Sequence, residues 1–361
     1  MKPRNVAIAC GVAGVAVGLA AATGIVYRKQ IKSAASLKRL TDYADGYDLY
    51  AIDIAYDYDL DRIIAADVRD DQAYIDAVLA QVLPGVPAHV QAPQFACSAF
   101  AAVDAEGRVR TGRNYDFKDD TSALLVRNQP RDGYASIGFA ALNNLGANAP
   151  LDSVAGRAAA LMGPFAQLDG VNECGVSIAV LTLDSKPCDQ DTQRPVINTS
   201  LAIRLVLDRA ATTQEAVDLL SAYDMHAMAG RDYHFFINDA AGDARVVEWD
   251  PRDPERACRA TPVRQVTNFY ACYEDEVLPN QKNGELGHGK ERALAIADVL
   301  DAHTGAQDEA VAWNALRAAA QEPNPEDITS NTQWSVVFDN TEPAAAITLR
   351  RHWGDVDAFA L

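Results

Sequence analysis

FACSAFAAVDAEGRVRTGRNYDF, residues 95–117, is an apolar run, a turn, and a second run that ends in charge. Small and apolar residues (Ala96, Ala99, Phe100, Ala101, Ala102, Val103) lead into Asp104-Ala105-Glu106-Gly107. Gly107 can take the positive φ that a short hairpin loop needs. The returning strand brings Arg113 and Asp116 back toward Cys97. A three-residue loop with a bulge at Gly107 sets Arg113 across from Cys97, whereas a two-residue loop turns it to the other face; the register stays open at this level. A thiol with an arginine and a carboxylate beside it can be held as a thiolate with an oriented proton acceptor. The same residues also describe an ordinary core hairpin with one buried cysteine and a surface ion pair.

The bulk numbers bound the answer only loosely. The chain has 361 residues, 49% of them hydrophobic and 23% charged, as in a folded protein with a sizeable core. A net charge of -18 argues against nucleic acid as a partner and against an anionic membrane surface as the main one. Six cysteines (Cys10, Cys97, Cys174, Cys188, Cys258, Cys272) are scattered without a CxxC or CxxH pairing, so no structural zinc site is expected. Cys174 with Cys188, or Cys258 with Cys272, are the pairs that could bridge in an exported protein. The six histidines show no HxH or HExxH spacing, and no metal or cofactor is expected.

Val6–Val26 is free of charge and long enough to span a bilayer, with Lys2 and Arg4 before it and Arg28, Lys29 and Lys32 after. It reads as an uncleaved anchor or as an export signal cut after Ala20-Ala21-Ala22. The expected placement is a membrane tether through residues 6–26 with an extracytoplasmic catalytic domain, or secretion. The larger basic cluster after the segment, taken alone, favours a cytoplasmic body. Residues 1–39 are thus an anchor or signal, 40–96 a propiece or small subunit containing a helix Asp71–Val82, and 97–361 the main domain.

Beyond the hairpin come a strand Val176–Leu183, helices from Thr199 and from the capping-box sequence Thr212-Thr213-Gln214-Glu215, and strands YHFFIND, ARVVEWD and RQVTNFY. Helices over 290–300 and 310–320 and strands TQWSVVFDN and AAAITLRRHW close the chain. Such runs predict a layered α+β domain of packed sheets with helices outside. Residues 117–138 and 143–163 are expected to be substrate walls, since walls of such folds come from loops.

With Cys97 and Gly112-Arg113-Asn114-Tyr115-Asp116 in place, further segments follow in order: Asp169-Gly170-Val171-Asn172-Glu173-Cys174-Gly175, Val266-Thr267-Asn268, Gly289-Lys290-Glu291-Arg292 and Gln333-Trp334-Ser335-Val336-Val337. Together they resemble the choloylglycine hydrolase family of cysteine N-terminal-nucleophile amidases, which includes bile salt hydrolases and penicillin V acylases. That family is in turn similar to N-acylethanolamine acid amidase and acid ceramidase. The resemblance runs from about Cys97 to Leu361.

It implies a four-layer αββα N-terminal-nucleophile fold and a small N-acyl amide as substrate. It also implies cleavage between Ala96 and Cys97, so that the freed α-amine takes the thiol proton and Cys97 forms a thioester. In this reading Arg113 holds negative charge, Asp116 orients the amine, Asn268 donates to the oxyanion and Arg292 fixes the charge balance. Thr182 stands where bile salt hydrolases carry asparagine and penicillin V acylases tyrosine, and it is expected on the substrate side together with Asn172. Asn172-Glu173 also reads as a turn into a strand. Ninety-six residues precede the cysteine, so the resemblance implies internal cleavage rather than loss of an initiator Met. An acyltransferase using the same acyl-enzyme, and an inactive membrane-anchored binding protein, are the alternatives. An oligomer is compatible with either.

Overall fold

In the computed structural model the described residues are 27–66, 68–84, 96–145, 151, 153–282, 284–324, 326 and 330–361. Val6–Val26, with Cys10, and Phe95 of the expected cut lie outside them. Among the described residues no helix is long and apolar enough to cross a membrane.

The strands are β1 (Lys38–Arg39), β2 (Leu49–Ile54), β3 (Ala96–Val103), β4 (Val109–Asp116), β5 (Ala123–Asn128), β6 (Ser136–Ala141), β7 (Gln167–Asn172), β8 (Ser177–Leu183), β9 (Val196–Asn198) and β10 (Asp224–His226). They continue with β11 (Asp232–Asn238), β12 (Arg245–Trp249), β13 (Cys258–Pro262), β14 (Gln265–Val266), β15 (Asn268–Phe269), β16 (Gly287–His288), β17 (Thr332–Asp339), β18 (Ala344–Leu349) and β19 (Asp357–Ala360). Among the described residues, β1-β2-β5-β6-β7-β8-β11-β12-β13 form one sheet and β14-β3-β4-β17-β18-β19 a second.

Strand parity builds the layers. On β3, Cys97, Ala99 and Ala101 face the space between the sheets, and alternate Phe100 and Ala102 face the helices Lys290–Asp301 and Glu309–Ala319. On β17, Trp334, Val336 and Phe338 point inward while Val337 joins the helix side. The helix Thr199–Arg209 covers β7 and β8 on the far face. Helices, sheet, sheet and helix make the four expected layers, because a period of two gives each strand two apolar faces to bury.

The hairpin has the three-residue loop. Gly107 sits at φ +81°, and its N–H donates to the Asp104 carbonyl at 3.1 Å. Cys97 pairs with Tyr115, and Arg113 pairs with Ala99. Arg113 thus shares the thiol's face but stands diagonal to it rather than across from it. The surface ion pair of the plainer reading is absent, since Arg113 and Asp116 are both fully buried.

Two further expectations are corrected. Residues 117–138 are not loop throughout: β5 and the start of β6 lie within them, with Leu124, Leu125, Val126 and Ile137 fully buried. RQVTNFY is not one strand. It breaks at Thr267, whose hydroxyl leaves the ladder and donates to the Gly289 carbonyl at 2.7 Å. Before the break β14 pairs with β3, and after it β15 pairs with β16 in a separate ribbon. The helix Asp71–Val82 has the bounds expected, its N-terminus closed by the Asp70 side chain accepting from the Ala73 N–H. All five described cysteines are free thiols, so neither candidate bridge is formed.

Residues 49–54 belong to the body of the fold. β2 lies parallel against β5, with Leu49 and Ile52 fully buried. Tyr56 and Tyr74 donate to the carbonyls of Leu161 and Phe165.

Gly112 pairs with Phe100, and a Cβ there would lie 2.2 Å from the tip of the Phe100 ring. Gly112→Ala is expected to lower stability by about 1–3 kcal/mol through overpacking. Combining it with Phe100→Leu should recover part of that loss in thermal melts. Simple addition of the two single costs would contradict this packing.

Candidate active site

Cys97 is the second residue of β3, fully buried on the inter-sheet face. Its backbone is gripped at both polar atoms. The N–H donates to Asn268 Oδ1 at 3.0 Å, and the carbonyl accepts from Arg292 Nη1 at 2.7 Å. The other amine of the same fork, Arg292 Nη2, donates to Asn268 Oδ1 at 2.8 Å, and Nη1 lies 3.4 Å from Asp116 Oδ2. Cys97, Asn268, Arg292 and Asp116, expected together from the resemblance, are therefore one bonded cluster.

Local sequence explains how the cluster is built. Arg292 stands in the first turn of Lys290–Asp301, which follows Gly289 at φ +84°. A Cβ on Gly289 would meet Arg292 Nη2 at 2.3 Å and Thr267 Oγ1 at 2.9 Å, so only glycine lets both side chains pass. Asp116 ends β4 opposite Thr332, where β17 carries a bulge between Thr332 and Trp334. The extra residue sends Thr332 toward Asp116 and Trp334 toward Tyr115. Thr332 Oγ1 donates to Asp116 Oδ1 at 2.6 Å, and Gln321 Nε2 donates to Oδ2 at 2.7 Å.

Arg113 forms the other half of the site. Its Nε lies 2.9 Å from Asp169 Oδ2, Nη2 donates to the Val180 carbonyl at 3.2 Å, and its guanidinium stacks 5.1 Å from the Tyr115 ring centre. Nη1 makes no hydrogen bond among the described residues. Asp169 also accepts from Trp334 Nε1 at 3.1 Å.

Burial is the largest influence on each acid here. It pushes the Cys97 thiol up to about 12, opposed first by Arg113, with the Asp116 carboxylate adding to the rise. Burial likewise raises Asp116 against the pull of Arg292. Asp169 is pushed up to about 6 by burial against Arg113. The buried thiol is therefore neutral near pH 7.

Of the substrate-side candidates, Thr182 touches the cluster through its backbone: Asn268 Nδ2 donates to its carbonyl at 2.8 Å and lies 3.5 Å from its hydroxyl. Asn172 does not join the cluster and is corrected here. Its Nδ2 donates to the Leu207 and Ala210 carbonyls, and its Oδ1 accepts from the Cys174 and Val176 N–H groups. The side chain is spent on closing the turn and the end of a helix, which is the turn role its neighbours suggested. Asp169, Gln321 and Thr332 were not singled out from sequence. Asp169 carried a signal in its place beside Gly170-Val171-Asn172, whereas Gln321, on the connection into β17, carried none.

Two outcomes follow from these contacts. Asn172→Ala should cost about 1–3 kcal/mol in denaturant melts and leave KM unchanged, because it strands buried backbone groups away from the cluster. Asp169 has a folded-state value above its ordinary 3.8, so it contributes stability fully below about pH 4 and loses it as pH rises through about 6. Stability relative to Asp169→Asn should accordingly decline by on the order of 3 kcal/mol between those limits. A pH-independent difference would count against this assignment.

The sequence profile of the acyl-coenzyme A:6-aminopenicillanic acid acyl-transferase family matches residues 103–352, beginning just after Cys97. No curated protein sequence matches the chain. Among solved structures it is similar in fold to a point mutant of conjugated bile acid hydrolase from Clostridium perfringens. That likeness has a TM-score of 0.56 at 15% identity, covering 73% of this chain and 92% of that one. It is also similar to penicillin V acylase from Agrobacterium tumefaciens, with a TM-score of 0.53 at 20% identity, covering 73% of this chain and 86% of that one. With more than half of its length matched by one profile, the chain belongs to the acyl-coenzyme A:6-aminopenicillanic acid acyl-transferase family.

Proposed function

We propose that this protein is a cysteine N-terminal-nucleophile enzyme that is cut between Ala96 and Cys97 and then cleaves the C–N bond of linear N-acyl amides. The observation that carries the reading is the grip of Asn268 and Arg292 on the two backbone atoms of Cys97, with Asp116 alongside. A cut before Cys97 turns its amide nitrogen into an α-amine that already faces Asn268 Oδ1. An unperturbed α-amine has a pKa of about 7.7–8.0 and serves as a base near neutral pH.

In the first half-reaction the amine takes the thiol proton and Sγ attacks the acyl carbon. The C–N bond breaks, and the departing amine of the substrate receives that proton. The acyl group is left on Cys97 as a thioester. In the second half-reaction water adds to the thioester, giving up a proton to the α-amine, and the acid leaves. Arg113, with Nη1 unengaged, supplies positive charge on the thiol's face. Asn268 Nδ2 gives one hydrogen to Thr182 and has a second for the oxyanion. The family's printed description favours a second reading of the same acyl-enzyme, in which an amine rather than water accepts the acyl group.

The same proposal covers the segments around this core. Residues 40–96 stay docked after the cut as a small subunit, supported by the pairing of β2 with β5. Residues 6–26 act as tether or export signal, supported by their uncharged length.

The test is intact mass of the wild type and of Cys97→Ala, followed by a panel of N-acyl amino acids, N-acyl-homoserine lactones, N-acylethanolamines, bile salts and penicillin V. The expected result is a wild-type chain that splits before Cys97 and turns over at least one substrate, beside a variant that does neither. A wild type active as one uncut chain, or hydrolysis by Cys97→Ala, overturns the reading. In the cut enzyme, Asn268→Ala should lower kcat by roughly 10²–10³-fold.

A further inference from the structure

His234 on β11 and Glu248 on β12 are both fully buried, and the imidazole Nδ1 lies 3.2 Å from Glu248 Oε2. The other ring nitrogen, Nε2, lies 3.0 Å from the carbonyl of Thr267, the residue immediately before Asn268. A carbonyl only accepts, so Nε2 carries a hydrogen. Glu248 meets donors on its far side: Oε2 accepts the Ala271 N–H at 3.0 Å and Oε1 the Cys272 N–H at 2.7 Å. The ring is thus held between the Glu248 carboxyl group and the Thr267 carbonyl, with Nε2 as the donor to Thr267.

The pair therefore holds the chain on both sides of Asn268, at the carbonyl just before it and at the N–H groups three and four residues after it. The ladder of β14 with β3 stops at Val266, and beyond the break Asn268 is paired in the two-residue ribbon of β15 with β16. Well-packed apolar residues of similar volume would hold the fold as well as a buried ion pair does. They would not give Thr267 a directional donor.

We propose that His234 is a positioning residue: with Glu248 it fixes the segment Thr267–Cys272 and so aims the side-chain amide of Asn268 at the reacting acyl group. This rests on the reading of Asn268 as an oxyanion donor. Displacing a catalytic group by about an ångström lowers turnover by up to about 100-fold without weakening ground-state binding.

The test is a double-mutant cycle in the cut, purified enzyme, using the best substrate of the panel above. His234→Phe removes the donor to Thr267, and His234→Gln keeps an amide donor for it. His234→Phe is expected to lower kcat roughly 10- to 100-fold with KM within about two-fold, and His234→Gln to recover most of the loss. In the Asn268→Ala background His234→Phe should cost nothing more, since there is no amide left to aim. An additive loss, or unchanged kcat in His234→Phe, overturns the proposal. Unchanged kcat in Asn268→Ala instead overturns the role given to Asn268, which separates the two failures. Should His234→Phe not fold, His234→Gln takes its place in the cycle. Nitrogen NMR of the wild-type ring then decides the geometry independently: a proton on Nε2 supports it, and an unprotonated Nε2 refutes it.

Discussion

The guanidinium of Arg292 is where separate pieces of the chain meet. One planar group donates to the Cys97 carbonyl and to Asn268 Oδ1 while lying against Asp116. The start of β3 and the end of β4 are laddered to each other, whereas β15 belongs to a separate ribbon with β16. A lysine offers a point charge and could not span two acceptors at a fixed angle. The fork in turn needs the left-handed Gly289, whose carbonyl also takes the Thr267 hydroxyl. The break in the strand before Asn268, the helix start and the grip on Cys97 are thus one arrangement.

Around that fork the interior runs against the chain's overall charge. A protein of net charge -18 keeps Arg113, Arg204 and Arg292 buried, each beside a carboxylate: Asp169, Asp208 and Asp116. In each acid of the site, loss of water is the largest influence and the arginine opposes it. Such pairs are poor stabilisers, because removing two charges from water costs about as much as their attraction returns. Arg113 and Arg292 leave a neutral Cys97 thiol beside positive charge, whereas Arg204 is bonded to Gln167 and Ser136.

Local rules went far in the sequence. Gly107 told of a short hairpin loop and the helix Asp71–Val82 was placed at its bounds, while the register, and with it the face of Arg113, stayed open. Periodicity would not have connected Cys97 to Asn268 and Arg292, which lie far along the chain; only the resemblance joined them. β5 was missed because ALLVRN is a short apolar run among charges, and its burial comes from neighbours on both edges. The break at Thr267 was invisible because RQVTNFY alternates acceptably as one strand, and only a bond to distant Gly289 ends it. Asp169 escaped for a similar reason: its counterion Arg113 belongs to the opposite sheet.

Were the peptide before Cys97 cut as proposed, the parallel pairing of β2 with β5 would have a consequence. Contacts that were intramolecular would become an association, and the tether that kept β2 at high effective concentration would be gone. Dilution or mild denaturant would then act on two chains instead of one. Departure of the first chain would bare the β5 edge, a row of unpaired N–H and C=O groups flanked by apolar side chains. The proposed cut would thereby tie the protein's lifetime to the retention of a strand remote in sequence from Cys97.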